Sequence, residues 1–121
     1  MVMSNSSRSI TVFGIYLFLS GISFVFLPNV ILPLFGFPVT TEVWIRLAGL
    51  LVLILGIYFL YSVRHNDRIF FRVTIYGRLI FCAGVIMFAT AGWGSPTLVI
   101  FGLVDLAGAA WTWLSLRAES V

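Results

Sequence analysis

The chain has 121 residues, 61% of them hydrophobic and only 9% charged, whereas a soluble domain carries roughly 25% charged residues. This excludes a soluble globular domain and predicts an all-α integral membrane protein, a single transmembrane domain over residues 1–121. Seven arginines, no lysine and four acids give a net charge of +3, but the charges sit scattered at segment ends rather than clustered on a solvated face, so no nucleic-acid partner is expected.

Four apolar segments stand out, about Ile10–Leu27, Val43–Val63, Ile69–Ala91 and Thr97–Leu116. Each has the length needed to span roughly 30 Å of hydrocarbon. The first is long for the apolar region of a signal peptide, lacks a small-residue cleavage site and runs at once into more apolar sequence, so it is expected to be a retained helix. The connection over Pro28–Thr41 is nearly as oily as the helices, but Pro28, Pro33 and Pro38 are expected to forbid a regular helix there. It reads either as a tight oily turn or as a lid over the bundle mouth. The connections Arg64–Arg68 and Gly92–Pro96 are short, which predicts that the second, third and fourth helices are antiparallel sequential neighbours.

Arginine placement predicts orientation. Arg8 precedes the first span, Arg64, Arg68 and Arg72 flank the second connection, and Arg117 follows the fourth span, while the first and third connections hold no basic residue. The positive-inside rule then gives an up-down-up-down four-helix bundle with both termini cytoplasmic, in the bacterial inner membrane. Trp44 and Trp93 fit the outer interface, and Tyr58, Tyr61, Trp111 and Trp113 the inner one. Small residues recur every seven positions: Gly14 and Gly21, Gly49 and Gly56, Gly77, Gly84 and Ala91, Gly102 and Ala109. Such seams let backbones approach closely and predict a compact left-handed bundle. Some of these seams could instead serve the interface of a homodimer or trimer.

Three charges fall inside the spans: Arg46, Arg78 and Asp105. A charge in hydrocarbon costs roughly 2.5–3.5 kcal/mol on insertion scales, so such residues pair or face a wet cavity. Arg78 and Asp105 are offset by only about 6 Å along the membrane normal, within reach of a bidentate arginine–carboxylate pair. Glu42 lies one turn before Arg46, giving a second expected pair. Asp105 shares a helix face with Gly102, Gly108, Ala109 and Thr112 and should point inward, whereas Arg78 lies off the Gly77–Gly84 seam, among Thr74, Cys82 and Ala89.

Cys82 and His65 are the sole cysteine and histidine. Neither an internal disulfide, a bis-histidine haem nor a multi-histidine metal site can form within one chain, and no cofactor or metal is expected. Cys82 reads as a small core residue and His65 as a solvated loop residue.

Several pieces of the run from Trp44 to Arg117 resemble the BphX-like family of small four-helix bacterial membrane proteins. These are Trp44-Ile45-Arg46-Leu47-Ala48-Gly49, Gly56-Ile57-Tyr58, Phe70-Phe71-Arg72, Tyr76-Gly77-Arg78 and Phe101 through Thr112. The resemblance implies a four-helix integral membrane protein, marks Arg46, Arg72, Arg78 and Asp105 as positions to probe, and supplies no substrate or cofactor. The chain also resembles, more weakly, the DoxX-like proteins, although the single Cys82 offers nothing to a redox partnership.

Three function classes stay open. In the first, membrane lipid or a hydrophobic, lipid-like small molecule with an anionic or polar head group binds or moves through an intramembrane pocket of Arg46, Arg78, Asp105, Glu42 and Thr112. In the second, the protein is a structural or accessory subunit whose buried charges lock helices. In the third, it is a membrane-embedded enzyme with Asp105 or Glu42 as base. An arginine beside Asp105 disfavours this last class, because it keeps the carboxylate ionised and a poor acid.

Overall fold

The computed structural model describes residues 3–93 and 96–119. Among them the chain is all-helical, with five helices: α1 (Asn5–Phe26), α2 (Pro28–Leu34), α3 (Trp44–Arg64), α4 (Arg68–Thr90) and α5 (Leu98–Glu119). Four of these, of 21 to 23 residues, are long and apolar enough to cross a membrane. Their lengths come to roughly 31–35 Å at 1.5 Å per residue. They match the four expected spans, with α1 beginning five residues before Ile10 because Ser4 caps it, accepting from the Ser7 N–H at 3.1 Å. The Asp67 carboxylate caps α4 in the same way through the Phe70 N–H. Asn66 (φ 47°) turns the chain between α3 and α4. Of the expected Gly92–Pro96 connection, residues 94 and 95 lie outside the described residues.

The expectation that three prolines forbid helix across 28–41 needs correction. Pro28 opens α2 and Pro33 falls in its last turn. A first-turn proline loses no hydrogen bond, since that N–H has no intrahelical partner. Gly36 (φ 81°) then reverses the chain, with the Phe37 N–H returning to the Leu32 carbonyl at 3.0 Å. The segment is strapped to the start of α5: the Thr97 hydroxyl donates to the Phe35 carbonyl, and the Phe35 and Phe101 rings lie 4.4 Å apart.

Packing is uneven. α1 packs along α3 on a four-glycine seam, the pairing descending on α3 as it ascends on α1: Gly14 meets Leu60, Gly21 meets Leu53 and Gly49 meets Phe24. A Cβ on Gly21 would come within 2.4 Å of the Leu53 backbone nitrogen, and one on Gly56 within 2.7 Å of the Phe18 nitrogen. α4 packs on α5, and α1 on α5. The core of Ile10, Phe13, Phe59, Phe71, Ile75, Ala109 and Leu116 fills the junction.

One sequence-based expectation holds only in part, for α4 and α5 but not for α3 and α4, and another fails. α3 and α4 are consecutive but scarcely pack on one another among the described residues, meeting through the edge-to-face Phe59 and Phe70 rings at 5.5 Å. The bundle is therefore open on that side. Gly77 and Gly84 also take no part in a seam, since a Cβ at either would meet nothing within 4 Å. The reason is helical phase: α4 turns Phe71, Thr74, Ile75, Arg78, Cys82 and Val85 inward, and Gly77 is rotated about 100° from Arg78.

Glycines that look alike in sequence should therefore respond differently. Gly21→Ala is expected to lower stability by about 1–3 kcal/mol, the usual range for overpacking, while Gly77→Ala should leave it unchanged or slightly raised. Unfolding of the purified variants followed by circular dichroism measures both.

Candidate functional site

Arg78 is the centre of the site and is only 3% exposed. One turn earlier on α4, the Thr74 carbonyl accepts from Arg78 Nε at 3.2 Å and the Thr74 hydroxyl from Nη2 at 2.9 Å. From α5, Thr112 Oγ1 accepts from Nη2 at 2.9 Å. The direction of each remaining bond follows from proton counting, because a hydroxyl has one hydrogen. Ser9 donates to the Ser6 carbonyl at 2.7 Å, so in its 2.7 Å contact with Thr112 it accepts. Thr74 likewise donates to the Phe71 carbonyl at 2.7 Å. Both threonine oxygens thus turn lone pairs, not hydrogens, toward the guanidinium.

These contacts engage Nε and Nη2 and leave Nη1, which is buried with no hydrogen-bond partner among the described residues. Glycine at position 108 eases the fit, since a Cβ there would stand 3.1 Å from the Phe13 ring and 3.2 Å from Nη1, tight contacts for both. The Phe13 and Phe59 rings flank the guanidinium carbon, their centroids 4.9 and 5.8 Å away, an arrangement in which the ring quadrupoles attract the cation.

Arg78 stands at the back of a cleft of about 530 Å³, lined almost wholly by apolar and aromatic side chains of all four long helices. Asp105 is buried in the same lining, as are Phe13 and Phe59. At the rim, Leu55 on α3 and Val73, Gly77 and Phe81 on α4 are exposed. The cleft accordingly opens sideways, through the gap that α3 and α4 leave between them. Its size falls in the range of small-molecule sites, roughly 300–1,000 Å³.

The expected charge pairs do not form. The ion pair among the described residues is Arg68–Glu119 at 2.9 Å. Arg78 and Asp105 share the cleft without bonding to one another, since Arg78 is held by the threonines instead. Glu42 and Arg46 are both exposed and outside the cleft lining. Arg46 donates from Nη1 to the Val25 carbonyl, in the last turn of α1. It thereby satisfies a carbonyl that the helix end leaves without an intrahelical donor, and it does so at the negative end of the helix dipole. Of the five predicted site residues, then, Arg78, Asp105 and Thr112 come together, with Thr112 as the link between α4 and α1. Sequence reasoning did not single out Ser9, Phe13 or Phe59 for this site. Thr74 at i−4 to Arg78 was the available signal.

A second polar cluster, also unforeseen, closes one end of the bundle. Glu119 accepts from the Ser6 N–H (2.9 Å), the Ser6 hydroxyl (2.6 Å) and Arg68 Nη1 (2.9 Å). Asn5 Nδ2 donates to Ser115 Oγ at 2.8 Å. The start of α1, the start of α4 and the end of α5 are tied together there. No family model, curated protein or solved structure matches the chain.

Thr112→Val removes the acceptor for Arg78 and the donor to Ser9 together. It is expected to lower stability by about 1–2 kcal/mol, whereas Thr112→Ser restores most of the loss. The unfolding midpoints of the two variants in mixed detergent are the measurement.

Proposed function

We propose that the protein spans the bacterial inner membrane four times, up-down-up-down, with both termini and the turn at residues 65–67 in the cytoplasm. In this reading it binds or moves a hydrophobic or lipid-like small molecule whose anionic or hydrogen-bond-accepting head group meets Arg78. The observation that carries it is the Nη1 group of Arg78, buried at the back of an aromatic cleft without a hydrogen-bond partner among the described residues. Leaving a buried charged donor unsatisfied costs more than leaving a neutral one, and an acceptor brought in by a ligand removes that cost. Asp105 on the same wall favours a head group that also carries a donor, such as a protonated carboxyl or a hydroxyl. The sideways opening between α3 and α4 gives a membrane-dissolved molecule a path from the acyl chains. The BphX-like relationship is a proposal on the same footing. Of the residues it marks, Arg78 and Asp105 belong to the cleft, while Arg46 and Arg72 lie outside its lining.

One observation favours a second reading. The chain of bonds from Arg78 through Thr112 to Ser9 links α4, α5 and α1, as a helix lock in an accessory subunit would. The two readings separate on binding.

A fluorescent polyene fatty acid is expected to bind the purified protein in competition with unlabelled oleic acid. Binding should fall at least about tenfold, the size of a lost charge-assisted bond, in Arg78→Gln and in the cleft-filling Gly77→Leu. Arg46→Ala should bind normally. A protein that binds no fatty acid, or binds it equally well with the cleft filled, is a helix lock only. For topology, a fluorescent protein fused after Val121 should light up. Alkaline phosphatase fused after Trp93 should be active, and the same enzyme fused after Asn66 should be silent.

A further inference from the structure

Positions 105, 108 and 112 share one face of α5. Two of them already meet Arg78. Thr112 accepts from Nη2, and Gly108 lies against Nη1, where an added Cβ would stand 3.2 Å away. Asp105 is the next residue along that face, one turn beyond Gly108. Arg78 and Asp105 are 3% and 8% exposed, and both line the cleft. Yet no nitrogen of Arg78 lies within 4.0 Å of an oxygen of Asp105, the limit of an ion pair. Among the described residues the Asp105 carboxylate accepts no hydrogen bond, just as Nη1 donates none. A buried donor and a buried acceptor thus stand about one helical turn apart on one wall, with a gap between them.

We propose that the molecule bound in this cleft is uncharged and closes the gap with one head group that accepts from Nη1 and donates to Asp105, as a long-chain primary amide or alcohol does. The inference rests on the cleft holding a lipid-like ligand, and it narrows that ligand's class. Reach supports it. Two hydrogen bonds meeting at one hydroxyl, or at the oxygen and nitrogen of one amide, bridge about 4.5–6 Å, the scale of one helical turn at about 5.4 Å. Charge supports it as well. Arg78 and Asp105 are the charged side chains of the lining, one of each sign, and an uncharged head group leaves them balanced. A carboxylate would bring a second negative charge beside Asp105. Its oxygens only accept, so Asp105 would still lack a donor. Desolvation acts in the same direction. The rim residues Leu55, Val73, Gly77 and Phe81 offer no polar side chain to an ionised group on its way in.

The test is fluorescence titration of the full chain in detergent with a polyene fatty acid, its primary amide and its methyl ester, which share one chain. At about pH 9 the free acid is ionised. The amide then donates and accepts, the ester accepts only, and the carboxylate accepts only and is charged. The amide should bind at least about tenfold more tightly than either of the others, the scale of one hydrogen bond to a charged group. Asp105→Asn removes the negative charge with little change of shape, and should cut the amide's advantage over the carboxylate to about twofold or less. A wild-type protein that binds the carboxylate or the ester as tightly as the amide would overturn the proposal and leave a lipid-binding cleft standing. An amide preference that survives in Asp105→Asn would overturn it too. Binding of none of the three would remove the lipid-binding reading itself, and this inference with it. The wild-type ranking decides alone should Asp105→Asn fail to fold.

Discussion

A guanidinium buried among apolar helices has to be supplied with acceptors, and much of this fold is organised by that need at Arg78. An arginine near the centre of a membrane-length helix costs roughly 2.5–3.5 kcal/mol on insertion scales. Hydrogen bonds between membrane helices return about 0.6 kcal/mol each on average, so the bonds to Thr74 and Thr112 alone fall short. The flanking Phe13 and Phe59 rings, worth from about 0.5–1 kcal/mol apiece at exposed sites to about 2 where desolvated, close the gap. What is left is the unmet capacity of Nη1. Arg78 is thus near break-even as a structural element, with Nη1 still to be supplied with an acceptor among the described residues.

The apolar packing divides the helices differently from the chain order. Glycine brings the backbones of α1 and α3 together so closely that no side chain fits between them at Gly21 or Gly56. α4 and α5 form the other close pair, and the two pairs meet where α1 lies on α5. That meeting is partly polar, through Ser9 and Thr112, and the Glu119 cluster strengthens it at one end. α3 and α4 are left apart, and the space between them is the cleft. Thus the short turn at residues 65–67 brings two helices near each other without obliging them to pack.

The four long helices were legible in the sequence, because length and hydropathy decide them with little tertiary input. So was the inward aim of Asp105, which the small residues on its side of α5 betray. The aim of Arg78 was harder, because Gly77 and Gly84 suggested a competing face and only contact with α1 and α5 shows which one won. The charge pairs failed for a related reason. Sequence spacing identifies carboxylates as partners for arginine, but threonine hydroxyls and the Val25 carbonyl answered first, being already in place at the right depth. Glu119 escaped notice because its partners lie more than fifty residues away along the chain. The prolines of the 28–41 segment misled because their effect depends on position within a turn, which composition does not reveal.

The missing side chain at position 108 has a consequence for how this protein can vary. Gly108 is where the cation on the neighbouring helix fits its outer nitrogen. A side chain there would press on the Phe13 ring, 3.1 Å from the added Cβ, and on the guanidinium at 3.2 Å, so both would have to shift by a few tenths of an ångström, and a shorter residue at 78 would leave Thr112 without its donor. Positions 13, 78, 108 and 112 therefore touch one another across three helices, so a change of size or polarity at one is felt at the others.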